Sequence, residues 1–346
     1  EVLGLSNLYI TFSGYFPEIG AKMETCSFKE TEAYSVCARL PEDNKRILVV
    51  ASAGNTARAF AKVCSDNNIP LVISIPEDNI GALWFKKPLN DCVKIIASPK
   101  GSDYFDAIAL SDKVCSSPRF MAEGGAKNVA RRDGMGTTLL SAVEVTGRIP
   151  DAYFQAIGSG TGTIAAWENT LRLIEDGRYG SHKMRLYPSQ NDPFTIMYDS
   201  WRQHSRELVP MTPEEARQAA AIIDAKVLSN RKPPYSLAGG LFEAMEDAGG
   251  EMFKVTNDEL HKWQDKFLEL EGIDIHNAAA VAVASLAQAV NDGIVGKDEM
   301  IMLNITGGGE ERAKSEGGII YAKPHLVMDP ETPAEEVAAK VENLFR

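Results

Sequence analysis

Thr25-Cys26-Ser27-Phe28-Lys29 is the stretch that decides the fold, once it is taken together with two loops that follow it along the chain. The first loop is Ser52-Ala53-Gly54-Asn55-Thr56, and the second is Gly158-Ser159-Gly160-Thr161-Gly162. Each loop comes at the end of an apolar run. A lysine, a turn of small polar residues and a glycine-rich anion cradle are the parts needed to hold pyridoxal 5'-phosphate (PLP) as a Schiff base. Each part alone is weak evidence, and their order makes the prediction.

Lys29 is the predicted Schiff-base residue. An amine must lose its proton before it attacks a carbonyl, so its pKa has to fall from about 10.4, the value of a lysine in water. The neighbouring Cys26, Ser27 and Phe28 predict partial burial, and the helix predicted over Glu30–Ala38 brings its positive end to the amine. The alternative, a solvated surface lysine, is disfavoured by this context.

The loop Ser52–Thr56 lies where a predicted strand gives way to a predicted helix. We expect backbone N–H groups of this turn and the hydroxyls of Ser52 and Thr56 to bind a substrate carboxylate, so the predicted substrate-binding residues are Ser52, Ala53, Gly54 and Thr56. Asn55 projects from the same turn and could hydrogen-bond a ring hydroxyl of the cofactor. An ordinary helix N-cap made by serine or asparagine explains this loop equally well.

The loop Gly158–Gly162 follows the predicted strand Ala152–Ile157 and precedes a helix that begins near Ile164. Glycines and hydroxyls at a helix N-terminus predict a site for the cofactor phosphate, made by Gly158, Ser159, Gly160, Thr161 and Gly162. A plain tight turn is the alternative.

Thr306 ends the last predicted strand, and its hydroxyl could hydrogen-bond the pyridine nitrogen of the cofactor. A neutral partner does not force that nitrogen to stay protonated, so the ring is a weaker electron sink than one that faces an aspartate. This favours elimination of a good leaving group over transamination.

Apolar runs of strand length alternate with helical stretches along the chain. The runs are apolar on both faces, as parallel strands covered by helices tend to be. They are Arg46–Ala51, Leu71–Ile75, Val93–Ala97, Ala152–Ile157, Met184–Tyr187 and Met300–Ile305. Capping boxes at Thr212, Thr256 and Thr332 predict three helix starts. The predicted fold class is α/β, with mostly parallel twisted sheets covered by helices.

The length of 346 residues predicts two domains. The smaller one, residues 22–150, would carry Lys29 and the carboxylate loop. The larger one, residues 1–21 with 151–346, would carry the phosphate loop. The stretch Gly147–Pro150 is the expected crossing between them.

The composition argues against several classes of protein. A formal net charge of −12 disfavours nucleic acids and anionic membranes as partners. The five cysteines form no Cys-x-x-Cys pair and the five histidines lack ligand spacing, so neither a disulfide framework nor a metal site is predicted. No apolar run approaches the roughly 20 residues that cross a bilayer. We therefore expect a cytoplasmic enzyme whose partners are small-molecule substrates.

Taken together, these segments resemble the fold-type-II PLP enzymes, which share a tryptophan synthase β-like fold, and specifically their threonine synthase branch. In that branch a Gly-Ser-Phe-Lys-Asp segment carries the Schiff-base lysine and a Ser-x-Gly-Asn-Thr turn follows it. Asn128-Val129-Ala130-Arg131 is similar to the segment that holds the substrate phosphate there, which implies binding roles for Asn128 and Arg131. The resemblance also implies a homo-oligomer. Weaker choices for binding the anions are Lys86, Lys87, Arg132 and Arg312.

Departures from threonine synthase narrow the resemblance. Thr25-Cys26 replaces a Thr-Gly pair, and Glu30 replaces an aspartate. The Thr-Cys-Ser-Phe-Lys-Glu and Ala-Ser-Ala-Gly-Asn-Thr forms are similar to those of the cysteate synthase family. That resemblance implies β-replacement, in which O-phospho-L-serine and sulfite give L-cysteate and phosphate through an aminoacrylate, a step of coenzyme M biosynthesis. Lys29 would take the α-proton and later return it.

Three alternatives stay open. The first is threonine synthase activity, which uses phosphohomoserine and needs chemistry one carbon further along the substrate. The second is a broader β-replacement, such as cysteine synthesis with sulfide. The third is a catalytically inactive protein of this fold that binds a nucleotide or a phosphometabolite.

Overall fold

A computed structural model describes residues 2–346 and divides into two compact units. Unit 1 comprises Glu1–Phe28 and Met135–Arg312, and unit 2 comprises Lys29–Gly134 and Ala313–Arg346. These bounds differ from the sequence-based ones, residues 22–150 and residues 1–21 with 151–346. The largest difference is the C-terminal segment, which belongs to unit 2 because its strand and its last helix pack there.

The described residues form short strands and helices in alternation. The strands are β1 (Leu8–Phe12), β2 (Tyr15–Phe16), β3 (Ala21–Lys22), β4 (Ile47–Ala51), β5 (Leu71–Pro76), β6 (Trp84–Phe85), β7 (Val93–Ser98), β8 (Phe120–Ala122), β9 (Ala152–Ala156), β10 (Arg185–Asn191), β11 (Phe253–Val255), β12 (Ile301–Ile305), β13 (Ile320–Tyr321) and β14 (Leu326–Val327). The helices are α1 (Lys29–Ala38), α2 (Asn55–Asp66), α3 (Tyr104–Val114), α4 (Val129–Thr146), α5 (Thr161–Asp176), α6 (Ile196–Arg202), α7 (Pro213–Ile222), α8 (Leu241–Ala248), α9 (Asn257–Glu271), α10 (Asn277–Asn291), α11 (Glu310–Ser315) and α12 (Ala334–Asn343). Strand β2 pairs with β3 and β6 with β13 in antiparallel fashion, and the other strand pairings are parallel.

Unit 1 is built on a parallel sheet in the order β1-β12-β9-β10-β11. Successive residues of a strand point to opposite faces, so Phe154 and Tyr153 enter different cores. Phe154 packs with residues of α9 and α10, whereas Tyr153 packs with residues of α5 and α8. Both faces are therefore covered by helices, as the apolar strand pattern predicted.

Unit 2 is built on a second parallel sheet, in the order β14-β7-β5-β4-β8. Val50 and Ile73 pack on α1 and α2, and Val49 and Val72 pack on α3 and α12. All the predicted strands are present, with ends that differ by a few residues. The predicted carboxylate loop follows the carboxyl end of β4, and Thr306 follows the carboxyl end of β12.

Two of the three predicted capping boxes are confirmed. The side chains of Thr212 and Thr256 each accept from the backbone N–H three residues on, and the glutamate at that position accepts from the backbone N–H of the threonine. The box at Thr332 is wrong. Helix α12 begins at Ala334, so the N-cap position falls to Pro333, whose side chain has no acceptor. Among residues 2–346, no helix combines the length and apolarity that crossing a membrane would require.

Candidate active site

The segment before Lys29 is held by backbone hydrogen bonds to the end of β12 within unit 1. The N–H of Phe28 donates to the carbonyl of Thr306 at 3.0 Å, and the N–H of Gly308 donates to the carbonyl of Cys26 at 3.1 Å. A Cβ on Gly307 would lie 2.8 Å from the Cys26 carbonyl oxygen, so only glycine allows this approach. The predicted partner of the pyridine nitrogen, Thr306, is thereby fixed to the residue that precedes Lys29 in the chain.

Cys26, which stands where threonine synthase has a glycine, has the backbone conformation of a glycine. Its φ is +54°, a left-handed conformation that glycine adopts without strain and other residues rarely adopt. The side chain is completely buried, and its Sγ lies 3.6 Å from the carbonyl oxygen of Gly309. The backbone therefore keeps the conformation of a glycine motif although a cysteine occupies the position.

Lys29 is the first residue of α1 and of unit 2. Its Nζ lies 3.4 Å from Oε2 of Glu32, one helical turn on, and its side chain is 20% exposed. Burial lowers the pKa of Lys29, Glu32 opposes this shift, and the positive charge of Arg131 adds to it. The net direction is downward, which is the direction that a Schiff-base lysine requires.

Arg131, near the start of α4, forms ion pairs with two glutamates of unit 2. Its Nε and Nη2 contact Oε2 and Oε1 of Glu32 at 3.0 and 2.8 Å, which makes a bidentate pair. Its Nη1 contacts Oε2 of Glu123 at 3.1 Å, and Nη2 also donates to Oγ1 of Thr56 at 3.3 Å. Burial alone would lower the pKa of Arg131, but the two glutamates raise it above its ordinary value. Arg131 is therefore a permanent cation.

The two glutamates differ in their electrostatics. Burial would raise the pKa of Glu32, but Arg131 and Lys29 outweigh it, so the pKa is lowered and Glu32 is a carboxylate. Burial raises the pKa of Glu123, and the opposing effect of Arg131 is not enough to reverse it. Sequence reasoning missed both residues. Glu32 could have been found from its position three residues after Lys29, on the same helical face.

The loop Ser52–Thr56 connects β4 to α2, as predicted. The N-cap of α2 is Gly54, and no side chain caps the helix. The hydroxyl of Ser52 accepts from the N–H of Gly54 at 3.2 Å, inside the loop itself. The N-cap interpretation with a serine or asparagine side chain is therefore wrong, and the first N–H groups of the helix are free of side-chain caps.

Asn55 is oriented by a buried arginine. Its Oδ1 accepts from Nη2 of Arg58 at 3.0 Å, and Nη1 of Arg58 donates to the carbonyl of Ala82 at 3.1 Å. The guanidinium carbon lies 4.5 Å from the ring centroid of Trp84, which is itself buried. Because Oδ1 is occupied, the amide nitrogen of Asn55 is the group left to donate to a ligand.

The loop Gly158–Gly162 leads from β9 into α5. Gly160 is the N-cap with φ +76°, and the hydroxyl of Ser159 accepts from the N–H of Thr161 at 3.3 Å. The hydroxyls of Ser159 and Thr161 lie 2.8 Å apart. Among the residues that the structure describes, the hydroxyl of Thr163 is buried without a hydrogen-bond partner. Adjacent hydroxyls, this buried hydroxyl and a positive helix end together are suited to binding an anion.

The glycines of this loop are sterically required, which is the test of whether the loop fits a phosphate. A Cβ on Gly158 would lie 2.8 Å from the backbone oxygen of Val227. A Cβ on Gly162 would lie 2.6 Å from the side-chain amide of Gln155. Gly158 therefore packs against backbone and has no room for a side chain, whereas at Gly162 the buried amide of Gln155 would have to shift. The residues present fit the phosphate of PLP.

The remaining predicted anion ligands have structural contacts. The side chain of Asn128 donates to the carbonyl of Glu123 at 2.7 Å and accepts from the N–H of Ala130 at 3.0 Å, so it starts α4. The side chains of Lys86, Arg132 and Arg312 contact Glu316, the Ala126 carbonyl and Glu18, respectively. Within unit 2 the structure brings together Lys29, Thr56 and Arg131, which the sequence had placed in one site.

The fold and the site define a class of enzyme. A family model described as pyridoxal-phosphate dependent enzyme matches residues 21–307. The processed form of threonine deaminase isoform 2 from Solanum lycopersicum has a similar fold, with a TM-score of 0.68 and 16% identity. That similarity covers 92% of this chain and 80% of the deaminase. The predicted fold class and the predicted cofactor, PLP, are confirmed.

Curated relatives narrow the class further. A protein named cysteate synthase from Methanosarcina acetivorans is 47% identical over 97% of this chain and 81% of its own length. Another of that name, from Methanoculleus marisnigri, is 48% identical over 94% of this chain and 75% of its own length. The chain belongs to the cysteate synthase family of PLP-dependent enzymes, as the sequence resemblance predicted.

Proposed function

We propose that this enzyme replaces the phosphate of O-phospho-L-serine by sulfite and so forms L-cysteate. The product is inferred from the names of the relatives, and the reaction is argued from the residues of the site. The observation that carries the proposal is the buried cluster of unit 2, in which one carboxylate, Glu32, contacts both Lys29 and Arg131. An amine that can accept a proton and a cation that can bind an oxyanion are the two groups that this reaction needs.

PLP, when bound, withdraws electrons from the α-carbon of an amino acid and so makes its proton acidic. Lys29 would hold the cofactor covalently, and its freed amine would take the proton from the α-carbon and return it at the end. The lowered pKa of Lys29 keeps the amine in the basic form that this task requires, and burial is its main cause.

The other groups bind and orient. Gly158, Ser159, Gly160, Thr161 and Gly162 would hold the cofactor phosphate, Asn55 its ring hydroxyl and Thr306 its ring nitrogen. The amide of Asn55 is oriented for this by Arg58. The uncapped start of α2, with Ser52, Ala53, Gly54 and Thr56, would hold the substrate carboxylate.

Arg131 would bind the leaving phosphate or the incoming sulfite, with Asn128 fixing the start of its helix. A guanidinium has five N–H groups, and four contacts to Glu32, Glu123 and Thr56 use four of them. The second N–H on Nη1 keeps its capacity to donate.

The test is a product assay on the PLP-loaded enzyme. O-phospho-L-serine with sulfite should release phosphate and give L-cysteate by mass spectrometry. Phosphohomoserine with water and phosphoserine with sulfide, the threonine synthase and cysteine synthase alternatives, should react much more slowly. Lys29→Ala should retain no borohydride-fixed cofactor and form no product. Faster turnover of either alternative substrate pair would overturn the proposal.

The resemblance also supports a homo-oligomer that works in the cytoplasm and feeds coenzyme M biosynthesis. Light scattering on the purified enzyme would test the oligomeric state, because a monomer mass would contradict it. Deleting the gene in its host would test the pathway, since the deletion strain should then require added cysteate or coenzyme M for growth.

A further inference from the structure

Glu123 makes an unusually one-sided set of hydrogen bonds for a buried acid. Its Oε2 accepts from Nη1 of Arg131 at 3.1 Å and from the N–H of Gly125 at 3.0 Å. Its Oε1 is buried and has no partner among the residues that the structure describes. The residue as a whole is only 8% exposed. A buried charged oxygen without a donor is costly, so this pattern needs an explanation.

A neutral carboxylic acid explains the pattern. Its carbonyl oxygen accepts hydrogen bonds, whereas its hydroxyl oxygen has a proton to give. Two donors on Oε2 and none on Oε1 are what the neutral form makes, while a carboxylate would seek donors on both oxygens. Arg131 does not require a second negative charge, because Glu32 already neutralises it with a bidentate pair.

The charges that face Glu123 are consistent with this assignment. Arg131 is the cation nearest to it, with Lys29 as a weaker one, and Glu32 repels a negative charge on it. Tyr104 also interacts with Glu123, and burial, as the main cause, raises the pKa of Tyr104. With Glu123 neutral, the cluster of Lys29, Glu32 and Arg131 has one excess positive charge when the lysine is protonated and none when it is not. An ionised Glu123 would lower the charge of the cluster by one, to zero with a protonated lysine and to −1 with a neutral one, and would so disfavour an anion.

Arg131 and Glu123 contact each other, and each keeps one polar group that no other residue in the described part of the chain uses, the second N–H on Nη1 and the oxygen Oε1. The spare N–H of Arg131 is on Nη1, the same nitrogen that contacts Glu123. Gly125, whose N–H donates to Oε2 of Glu123, lies next to this nitrogen, because a Cβ built on it would be 3.7 Å from Nη1. We infer that Glu123 carries a proton and donates it in a hydrogen bond from Oε1 to an oxyanion that Arg131 binds through Nη1. Glu123 thus completes the two-donor anion site, and this role rests on the proposed function of Arg131.

The shared chemistry is that of an oxyanion, which is either the phosphate of the substrate or the incoming sulfite. The test uses sulfate as the oxyanion. Sulfate is the anion of a strong acid, so it stays fully ionised between pH 6 and pH 9. Any pH dependence of its binding then reports the protein. The PLP-loaded enzyme is used, so that the cofactor fills its own phosphate site, and the Kd of sulfate is measured by calorimetry across this pH range.

Three proteins are compared. For the wild type, the Kd should rise with pH by up to tenfold per unit as Glu123 loses its proton. Glu123→Gln keeps a donor of the same shape, so it should bind sulfate and lose this pH dependence. Glu123→Leu has no donor and should bind about 10- to 100-fold more weakly at pH 6, as expected for a lost hydrogen bond to a charged group. Any titration of Lys29 with its bound cofactor affects wild type and Glu123→Gln alike and cancels in their comparison.

Two results would overturn the inference. One is a Glu123→Gln protein whose sulfate binding follows the pH dependence of the wild type. The other is a Glu123→Leu protein that binds sulfate as tightly as Glu123→Gln does. A second arm identifies the anion, because Glu123→Leu should raise the KM of either phosphoserine or sulfite, and an unchanged KM for both contradicts the role. If the wild type makes no cysteate, the proposed function fails while the sulfate titration still decides the role of Glu123.

Discussion

The ion pair between Glu32 and Arg131 should contribute far more to stability than a surface pair in the same unit. Its shortest contact is 2.8 Å, and the side chains are 0% and 14% exposed. At an effective dielectric constant of about 20, this distance gives a gross attraction of about 6 kcal/mol. Desolvation offsets much of this gain, but removing one partner leaves the other charge buried and unpaired. Glu32→Gln and Arg131→Met should therefore each lower the free energy of unfolding by about 3–5 kcal/mol.

A double-mutant cycle isolates the pair. Glu32→Gln combined with Arg131→Met should cost about 2–3 kcal/mol less than the sum of the single changes, measured by urea unfolding at pH 7. The matched control is Glu336 with Lys340, an i,i+4 pair on α12 with 2.7 Å between N and O and side chains 51% and 52% exposed. Its coupling should be about 0.3–0.5 kcal/mol. Equal coupling energies for the two pairs would refute the argument.

The pH dependence of the coupling has a definite sign. The folded-state pKa of Glu32 is lowered, so its contribution is complete above the unfolded-state value of about 4.3 and is lost as the pH falls through the folded-state pKa. The coupling energy should therefore decrease in acid, as the pH falls through the folded-state pKa of Glu32. A coupling that grows on acidification would show that another group carries it.

Three further outcomes are expected. Gly162→Ala should weaken PLP binding about 10- to 100-fold in an absorbance titration, because the new Cβ would overlap a buried amide, whereas Gly81→Ala, with no atom within 4 Å of its Cβ, should leave the Kd unchanged. Thr256→Ala should lower the free energy of unfolding by about 1 kcal/mol in urea, because it removes the N-cap of α9. The amount of PLP that borohydride fixes to the enzyme should be measured as a function of pH. In Glu32→Gln the pH at which half of the cofactor is fixed should be lower, because Glu32 raises the pKa of Lys29. An unchanged midpoint would contradict that electrostatic effect.

Thr332→Ala is the matched control for the cap, and it also shows where sequence reasoning fails. The segment has the same letters as the confirmed boxes, Thr followed three residues later by Glu, yet the helix starts one residue late. A box is a local pattern, and its register depends on where the helix packs. The Ala side chain should therefore change stability by no more than about 0.5 kcal/mol at this position.

Local patterns predicted the strands, the strand-to-helix loops and the burial of Lys29, because residues close in sequence determine each of them. The C-terminal strand β14 was missed, since two residues, Leu326 and Val327, carry no periodic signal. It joins unit 2 only through its parallel pairing with β7, more than 200 residues earlier in the chain. Long-range pairing of this kind leaves no trace in a single sequence.

The same limit applies to the charges of the site. Arg131 was predicted as an anion ligand, but its contact with Glu32 joins residues that are 99 positions apart. Glu123 is eight residues from Arg131, a separation that bridges a turn and a helix start and so has no fixed geometry. The sequence could supply the cation, whereas its partners and therefore its remaining donors had to be read from the folded chain.

The partners decide how Lys29 can serve in both of its protonation states. The amine must be neutral to attack and positively charged after it accepts a proton. Burial and Arg131 favour the neutral state, whereas Glu32 stabilises the cation, and both charged groups also bind each other. Removing Glu32 should therefore lower the pKa of Lys29, and removing Arg131 should raise it. Arg131→Met should move the half-point of cofactor trapping to higher pH, opposite to the effect of Glu32→Gln. Shifts of the same sign in both variants would mean that altered packing, rather than charge, controls the amine.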